Sequence, residues 1–264
     1  MEQYYRIVAL VLGSVLGLAV GSFLNVVIYR VPNGMSLAKP ASHCTSCGYS
    51  LHWYDNIPVL SYLLLRGKCR SCGAHISLRY TLVELANMLL WLGSVLIFWH
   101  RSPVYAAVAA LASSVLLCIF FIDLEHMLIF NRFTLTLALL GVAAVFFDPF
   151  TRPLDHLFGA LGGAAVFCLL YFGAILVLKR EGLGWGDVKL SAAAGLLLGW
   201  QKLILAMLIA SVVGSIVLLI LQKCRRDEAD REYPFAPFLT LGFAVAMLAG
   251  APIITWYLSL FHIA

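Results

Sequence analysis

The chain has 264 residues, of which 62% are apolar and only 12% are charged, and its mean hydropathy is +0.94. An ordinary soluble domain is about 45–50% apolar and about 25% charged, so this composition excludes a water-soluble enzyme as the default interpretation. Apolar runs of roughly 20 residues recur along the chain, and in lipid such runs can only form helices. The net charge of +5 does not indicate nucleic-acid binding. The sequence therefore predicts an all-α polytopic membrane protein.

Apolar runs and helix breakers predict about eight transmembrane helices. They are expected near residues 7–29, 80–99, 104–122, 128–147, 157–178, 188–199, 203–222 and 236–260. The stretch 188–222 would also fit one long tilted helix. We divide it at residues 199–202 because the basic stretch after residue 222 then falls on the more basic side. The first segment is expected to be a retained span rather than a cleaved signal peptide, because it contains Asn25 and leads directly into a polar domain.

The distribution of basic residues sets the predicted orientation. Of the 18 lysines and arginines, 14 fall on one side of the predicted bundle and four on the other. Under the positive-inside rule, the polar region 30–79 then faces the cytoplasm and both termini face outward. We divide the chain into a first transmembrane helix at 1–29, a small cytoplasmic domain at 30–79 and a transmembrane domain at 80–264.

Four of the seven cysteines form two C-x-x-C pairs, Cys44 with Cys47 and Cys69 with Cys72, with 21 residues between the pairs. Structural zinc takes four ligands in a tetrahedron, and thiolates are among its usual ligands. A glycine follows each pair, which leaves backbone amides free to donate to sulfur. A polar domain of about 50 residues with little apolar core also needs a metal or another staple. The pattern predicts a zinc-binding domain.

Two disulfides and a redox-active C-x-x-C pair are the alternatives for these cysteines. A cytoplasmic domain is kept reduced, which disfavours disulfides. A dithiol oxidoreductase needs one reactive pair, whereas two matched pairs fit a closed metal site better. His43, His52 and His75 lie near the pairs and are potential substitute ligands, although four cysteines already complete a tetrahedron.

Two aspartates adjoin apolar segments at the predicted cytoplasmic ends of their helices. Asp123 ends one apolar run, and Asp187 follows a glycine-rich stretch that contains Gly182, Gly184 and Gly186. Acids at a membrane boundary are costly and are functional candidates by default. The glycines remove side chains beside Asp187, so we expect an extended peptide backbone to approach its carboxylate closely. The two aspartates share one depth, and we expect them to meet.

Two carboxyl groups that share one proton can hydrolyse a peptide bond in the manner of the aspartic proteases. The ionised member takes a proton from water, and the neutral member donates to the scissile carbonyl oxygen. The simpler alternative is that each aspartate is a helix N-cap or a boundary charge. Lys189 is either a boundary cation or a substrate contact. Glu84, inside the second span, is expected to have a structural role.

Six sequence blocks, spread over nearly the whole chain, carry a family resemblance. They are GSFLNVVIYR at residues 21–30, WYDNIPVLSY at 53–62, RGKCRSCG at 66–73, RYTLVE at 79–84, GWGDVKL at 184–190 and YPFAPFL at 233–239. In this order they resemble the type IV prepilin peptidases, which are bifunctional leader peptidases and N-methyltransferases. The fifth block matches the G-x-G-D-x-K motif of that family.

The resemblance implies that Asp123 and Asp187 are the catalytic pair. It implies that Gly184, Gly186 and Lys189 support the substrate. The four paired cysteines would hold zinc, and Gly67 and Lys68 would matter for methyl transfer from S-adenosylmethionine; the methyltransferase half rests wholly on this resemblance. The implied substrates are type IV prepilins or pseudopilins with a basic leader that ends in glycine. The implied location is the bacterial inner membrane, with the active site toward the cytoplasm.

Two positions depart from the family pattern. Phe130 stands where proline is common, and Ala236 stands where glycine is common in the late block. Proline would have fixed the backbone just before the Asn that follows the first aspartate. Neither change removes a chemical group from the predicted site.

Two other classes of function remain as alternatives to the peptidase. A proton- or ion-coupled transporter would use the aspartates as a relay, but its sequence should show an inverted repeat, and no convincing repeat is present. A membrane thiol oxidoreductase would use the C-x-x-C pairs. Bound zinc without a redox-active disulfide would exclude it.

Overall fold

The computed structural model describes residues 2–179, 183–224 and 233–260. Within these ranges the regular structure is helical, apart from two isolated β-bridges in the cysteine region. The helices are α1 (Glu2–Arg30), a 3₁₀ helix (Trp53–Asn56), α2 (Leu60–Leu64), α3 (Leu78–Phe98), α4 (Pro103–His126), α5 (Asn131–Phe147), α6 (Pro153–Leu178), α7 (Trp185–Leu198), α8 (Trp200–Cys224) and α9 (Ala236–Leu260). The predicted all-α fold is confirmed.

Eight long helices lie where the sequence predicts them, and the break between α7 and α8 falls at Gly199. Six of them, α1, α3, α4, α6, α8 and α9, are long and apolar enough to cross a membrane. The other two are shorter, with 17 residues in α5 and 14 in α7. Helix α5 begins at Asn131, three residues later than predicted, because Met127 adopts a left-handed φ of 53° and ends α4. The count of eight spans is therefore approximate.

The chain forms two compact units, Met1–Trp99 and His100–Ala264. In the first unit, α1 packs along α3 through a row of glycines one helical turn apart. A Cβ at Gly17 would lie 2.9 Å from Cα of Met88, and one at Gly21 would lie 2.8 Å from Cα of Glu84. Small residues at this spacing let two helix backbones approach closely in a membrane. The glycine row therefore fixes the register of α1 on α3.

In the second unit, close contacts at glycines also join α6 to α7. Gly159 and Gly195 face each other so closely that a Cβ on either would collide with the backbone of the other. One turn further, a Cβ at Gly163 would lie 2.6 Å from the carbonyl oxygen of Ser191. Helix α7 therefore cannot slide along α6 without a backbone clash.

A buried polar cluster ties together the helix ends at one edge of the second unit. The Lys202 ammonium lies 3.3 Å from Oδ2 of Asp148 and donates to Oγ1 of Thr151 at 3.0 Å. Nε2 of His156 lies 3.8 Å from the same Asp148 oxygen, and Nδ1 of His156 contacts the carbonyl oxygen of Leu196 at 2.9 Å. The cluster joins the end of α5 to the starts of α6 and α8.

Candidate active site and metal centre

Asp123 lies inside α4, one turn before the helix ends. The sequence places it at the end of an apolar run, whereas the helix continues to His126. Its side chain is buried and accepts a hydrogen bond from the backbone amide of Ala236, the first residue of α9. The start of α9, which belongs to the late YPFAPFL block, therefore orients this carboxyl group.

Asp187 lies in the first turn of α7. Gly184 precedes the helix, and its backbone amide donates to Oδ2 of Asp187 at 3.2 Å. The other oxygen, Oδ1, is buried and has no hydrogen-bond partner among the described residues. A carboxylate in the first turn is favoured by the helix dipole. One face of this carboxylate is therefore held and the other is left for a further donor.

The two carboxyl groups come close enough to interact electrostatically. Their helices are linked because α4 packs against α5 and α9, and α5 packs against α7. Both aspartates lie at the same edge of the second unit, opposite the Asp148–Lys202 cluster. Two buried carboxyl groups that interact in this way cannot both carry a full negative charge without a large cost in free energy, so they tend to share one proton. This arrangement can activate water and donate to a carbonyl oxygen.

The glycines beside Asp187 have different surroundings. A Cβ at Gly186 would lie 2.9 Å from Cβ of Ile129, so this glycine is required for packing rather than for a clear approach. Gly184 is exposed, as expected for an open approach. Gly182 lies outside the described residues.

Lys189 contacts the loop that leads out of α4. Its ammonium donates to Oδ1 of Asn131 at 2.9 Å and so ties α7 to the start of α5. Sequence reasoning did not pair these residues, because 58 positions separate them. Phe130, just before Asn131, has a φ of −77°, within the range of about −65 ± 15° that proline imposes. The phenylalanine thus adopts the backbone conformation that proline would fix.

The four paired cysteines converge on one point in the first unit. The Sγ atoms of Cys44, Cys47, Cys69 and Cys72 all lie within 4.8 Å of one another, and those of Cys44 and Cys72 are 4.0 Å apart. Metal–sulfur bonds of about 2.3 Å in a tetrahedron place the sulfurs about 3.8 Å apart, so the cluster can hold a metal ion. The three nearby histidines are not among these four ligands.

Each C-x-x-C pair ends in a turn that needs glycine. Gly48 and Gly73 have φ values of 72° and 70°, and each donates its amide to the carbonyl of the first cysteine of its pair. The glycine amides are therefore not the ones that donate to sulfur. Other amides do so, and those of Cys47 and Ser46 lower the pKa of the Cys44 thiol to about 6.

The four thiols do not ionise equally. An amide hydrogen bond from Ala74 lowers the pKa of the Cys72 thiol, but hydrogen bonds to Cys47, burial and the other sulfurs raise it more, to about 11. Thiols must be deprotonated to bind a metal, and the positive charge of the metal offsets the repulsion between the sulfurs. The donor set therefore suits a divalent cation.

Asp55 links the two cysteine pairs. It is buried, and Nε of Arg70 donates to its Oδ1 at 2.8 Å. Burial raises the pKa of Asp55, but hydrogen bonds from Arg70 and from the His52 amide outweigh it, so the pKa lies below its usual value. Sequence reasoning did not assign Asp55 this role, and no spacing signal points to the pair.

Comparison with known proteins identifies the chain. A family model described as the bacterial peptidase A24 N-terminal domain matches residues 15–100, and one described as the type IV leader peptidase family matches residues 110–219. The protein belongs to the type IV leader peptidase family. The two matches fall on the two compact units of the structure.

Curated relatives of this leader peptidase extend over nearly its full length. Prepilin leader peptidase/N-methyltransferases from Aeromonas hydrophila and Pseudomonas aeruginosa are 37% and 38% identical to it, cover 92% of the chain in both cases, and are themselves covered over 92% and 91%. One from Myxococcus xanthus is 42% identical over 86% of the chain and 69% of its own length. No solved structure matches the chain. These relationships and the apolar helices make it a multi-pass membrane peptidase, and they do not favour the transporter or oxidoreductase alternatives.

The residues associated by resemblance with methyl transfer lie beside the second cysteine pair of this leader peptidase. Gly67 is buried with a φ of 69°, and a Cβ on it would lie 2.8 Å from Oη of Tyr62. Lys68 has an exposed side chain, and its backbone forms a β-bridge with His75. Glu84 is buried on α3 and accepts the Val59 amide at 2.8 Å.

Proposed function

We propose that this protein is a membrane aspartic endopeptidase that cleaves the basic leader from type IV prepilins or pseudopilins after glycine. It then methylates the new terminal amine with S-adenosylmethionine. The observation that carries the peptidase half is the pair of buried, interacting carboxyl groups of Asp123 and Asp187. The family to which the chain belongs and its curated relatives support the same conclusion.

The two aspartates divide the work of hydrolysis. The ionised carboxylate removes a proton from a water molecule, whose oxygen attacks the glycine carbonyl carbon. The protonated carboxyl group donates to the carbonyl oxygen as it gains charge. When the carbon–nitrogen bond breaks, the protonated carboxyl group gives its proton to the leaving amine. The ionised carboxylate takes a hydroxyl proton from the tetrahedral diol, so the pair again holds one proton. The unpartnered Oδ1 of Asp187 is the atom we assign to the water.

Three neighbouring residues support this pair. Gly184 supplies the amide that orients Asp187, and its exposed position leaves room for an extended substrate backbone. Gly186 sets the distance from α7 to Ile129. Lys189 holds Asn131 and so keeps the start of α5 beside α7.

The charge distribution supports a cytoplasmic active site in the bacterial inner membrane. The aspartates lie at helix ends that join the more basic loops, and the positive-inside rule places such loops in the cytoplasm. Prepilin leaders are basic and would be released on that side.

The metal of the four-cysteine cluster is proposed to be zinc in a structural role. Four thiolates in a tetrahedron of this size fit zinc, and no ligand position is left open for catalysis. Cys44, Cys47, Cys69 and Cys72 would hold it. The metal would fix the fold of the region 30–79, which has few apolar contacts of its own.

The methyltransferase half is assigned to the first unit. S-adenosylmethionine, when bound, supplies an electrophilic methyl group to the lone pair of the new amine, with the sulfur–carbon bond broken and the amine proton passed to water. Gly67 is proposed to act through Tyr62, which it contacts, and Lys68 through its backbone bridge to His75.

Leader removal from a prepilin-like substrate in membranes tests the peptidase half. The wild type should shorten the substrate, whereas Asp123→Asn and Asp187→Asn should leave it intact at normal membrane levels. Asp155→Asn is the matched control, because this half-buried aspartate lies at the opposite edge of the unit and its amide form keeps the oxygen that accepts from Trp200. Near wild-type cleavage by either site variant would refute the mechanism. The mass of the new N-terminus reports methylation in the same sample.

A further inference from the structure

The first unit contains a cavity of about 530 Å³ between the C-terminal part of α1, the first turns of α3 and the cysteine region. Small-molecule sites typically measure about 300–1,000 Å³, so the volume suits a ligand of that class. Phe23, Tyr29, Tyr62 and other apolar groups line part of the wall. The peptidase mechanism uses none of this space.

Two buried polar atoms in the cavity wall have no partner. Asn25 is 5% exposed, and its Nδ2 donates to the carbonyls of Tyr80 at 3.0 Å and Gly21 at 3.4 Å. These acceptors fix the orientation of the amide, which leaves Oδ1 unpaired. Thr81, 7% exposed, has an unpaired Oγ1. Unpaired buried polar atoms are rare and indicate a missing ligand or water.

Glu84 adds a negative charge to the same wall. It is 8% exposed, and it accepts from the Val59 amide and from the Ser22 hydroxyl, both uncharged donors. Among the described residues no basic side chain pairs with it. Val59 has a φ of 62°, which is strained for a β-branched residue, and such strain clusters at functional sites. Because only uncharged groups donate to it, the Glu84 carboxylate has no cationic partner among the described residues.

Both arginines of the cavity wall are already engaged. Arg30 donates to the carbonyls of Ser36 at 2.9 Å and Pro40 at 2.7 Å, and Arg70 pairs with Asp55. They therefore do not neutralise Glu84. One end of the cavity presents oxygen acceptors and a negative charge without a positive partner, which is the environment that a cationic ligand requires.

We propose that this cavity binds S-adenosylmethionine, with its sulfonium and ammonium groups held by Glu84, Asn25 and Thr81. The proposal rests on the methyltransferase half of the proposed function and assigns that half a site. The aromatic wall at Tyr29 and Tyr62 faces the uncharged adenosyl portion. Gly67 then acts as a positioning residue, because a larger side chain there would push the Tyr62 ring from the wall.

The test measures equilibrium binding by the purified full-length protein in detergent, with S-adenosylmethionine and S-adenosylhomocysteine as probes. The second probe lacks the sulfonium charge. Glu84→Gln should weaken binding of S-adenosylmethionine about tenfold or more, and it should reduce the preference for the charged probe. Thr81→Val should weaken binding about threefold. Thr136→Val, a threonine exposed on α5, is the matched control and should bind like the wild type.

The two hypotheses fail in different ways. If the wild type binds neither probe and transfers no methyl group, the methyltransferase function itself is wrong. If the wild type binds but both cavity variants bind equally well, the function stands and the site is wrong. Ultraviolet cross-linking of methyl-labelled S-adenosylmethionine gives a second measurement that does not depend on variant folding. The label should map within residues 22–84, and a label in the second unit would overturn the proposal.

Discussion

The buried cluster around Asp148 permits a quantitative prediction about stability. Lys202→Met keeps the apolar stem of the side chain but removes the ammonium that lies 3.3 Å from Asp148. The Asp148 side chain is 0% exposed, so water cannot replace the lost partner. Removing one member of a buried ion pair costs about 3–5 kcal/mol. The Phe150 amide still donates to Oδ1 of Asp148 at 2.8 Å, so we expect the lower end, about 3 kcal/mol.

The assay is reversible unfolding in mixed detergent micelles, followed by tryptophan fluorescence and helical circular dichroism. Lys223→Met, which removes an exposed lysine at the end of α8, should change the free energy of unfolding by less than about 0.5 kcal/mol. The double variant Asp148→Asn with Lys202→Met removes both charges and should recover most of the loss. A Lys202→Met protein as stable as the control, or a double variant as unstable as the single one, would refute the reasoning.

Three further predictions concern the active site and the metal centre. Gly186→Ala forces a Cβ to within 2.9 Å of Ile129 and should lower kcat for leader cleavage by about 10²-fold, whereas Gly173→Ala, where no atom lies within 4 Å, should cleave normally. Lys189→Met removes the hydrogen bond to Asn131 and should lower kcat about fivefold with little change in KM; an additive loss in the double variant with Asn131→Ala would contradict this pairing. Metal chelation should unfold the cysteine region and release one zinc per chain, measured by atomic absorption and protease digestion; retained structure would show that the metal is dispensable.

Much of the fold follows from sequence because the bilayer leaves few alternatives. Apolar length and breakers locate the long helices, and Gly199 ends α7 where its φ of 79° disfavours any other residue. The end of α4 is predicted less well. A polar turn from Asp123 to His126 suggests a loop, but burial against α9 keeps Asp123 helical. Tertiary packing here outweighs local polarity.

The features of the candidate sites also differ in how well the sequence predicts them. The cysteine cluster and the aspartate pair are predictable because each consists of costly residue types at a distinctive spacing. The contact between Lys189 and Asn131 cannot be predicted from the sequence, because it depends on how α7 packs against α5. The sequence does not predict the cavity beside Glu84 either, because from the sequence this acid suggests only an internal hydrogen bond. The predicted domain boundaries at residues 29 and 79 stay a prediction.

The short length of α7 has a consequence for how water reaches a bond near the bilayer. Fourteen residues at 1.5 Å each span about 21 Å, whereas the hydrocarbon layer is about 30 Å thick. The far end of α7 is fixed at the Asp148 cluster through the carbonyl of Leu196, so the shortfall of about 9 Å falls at the Asp187 end. Helix α5, with 17 residues, spans about 26 Å and leaves a smaller gap of about 4 Å. We therefore expect a solvent-filled recess at the proposed catalytic edge, where a prepilin substrate would keep its apolar helix in lipid while its leader junction is hydrated.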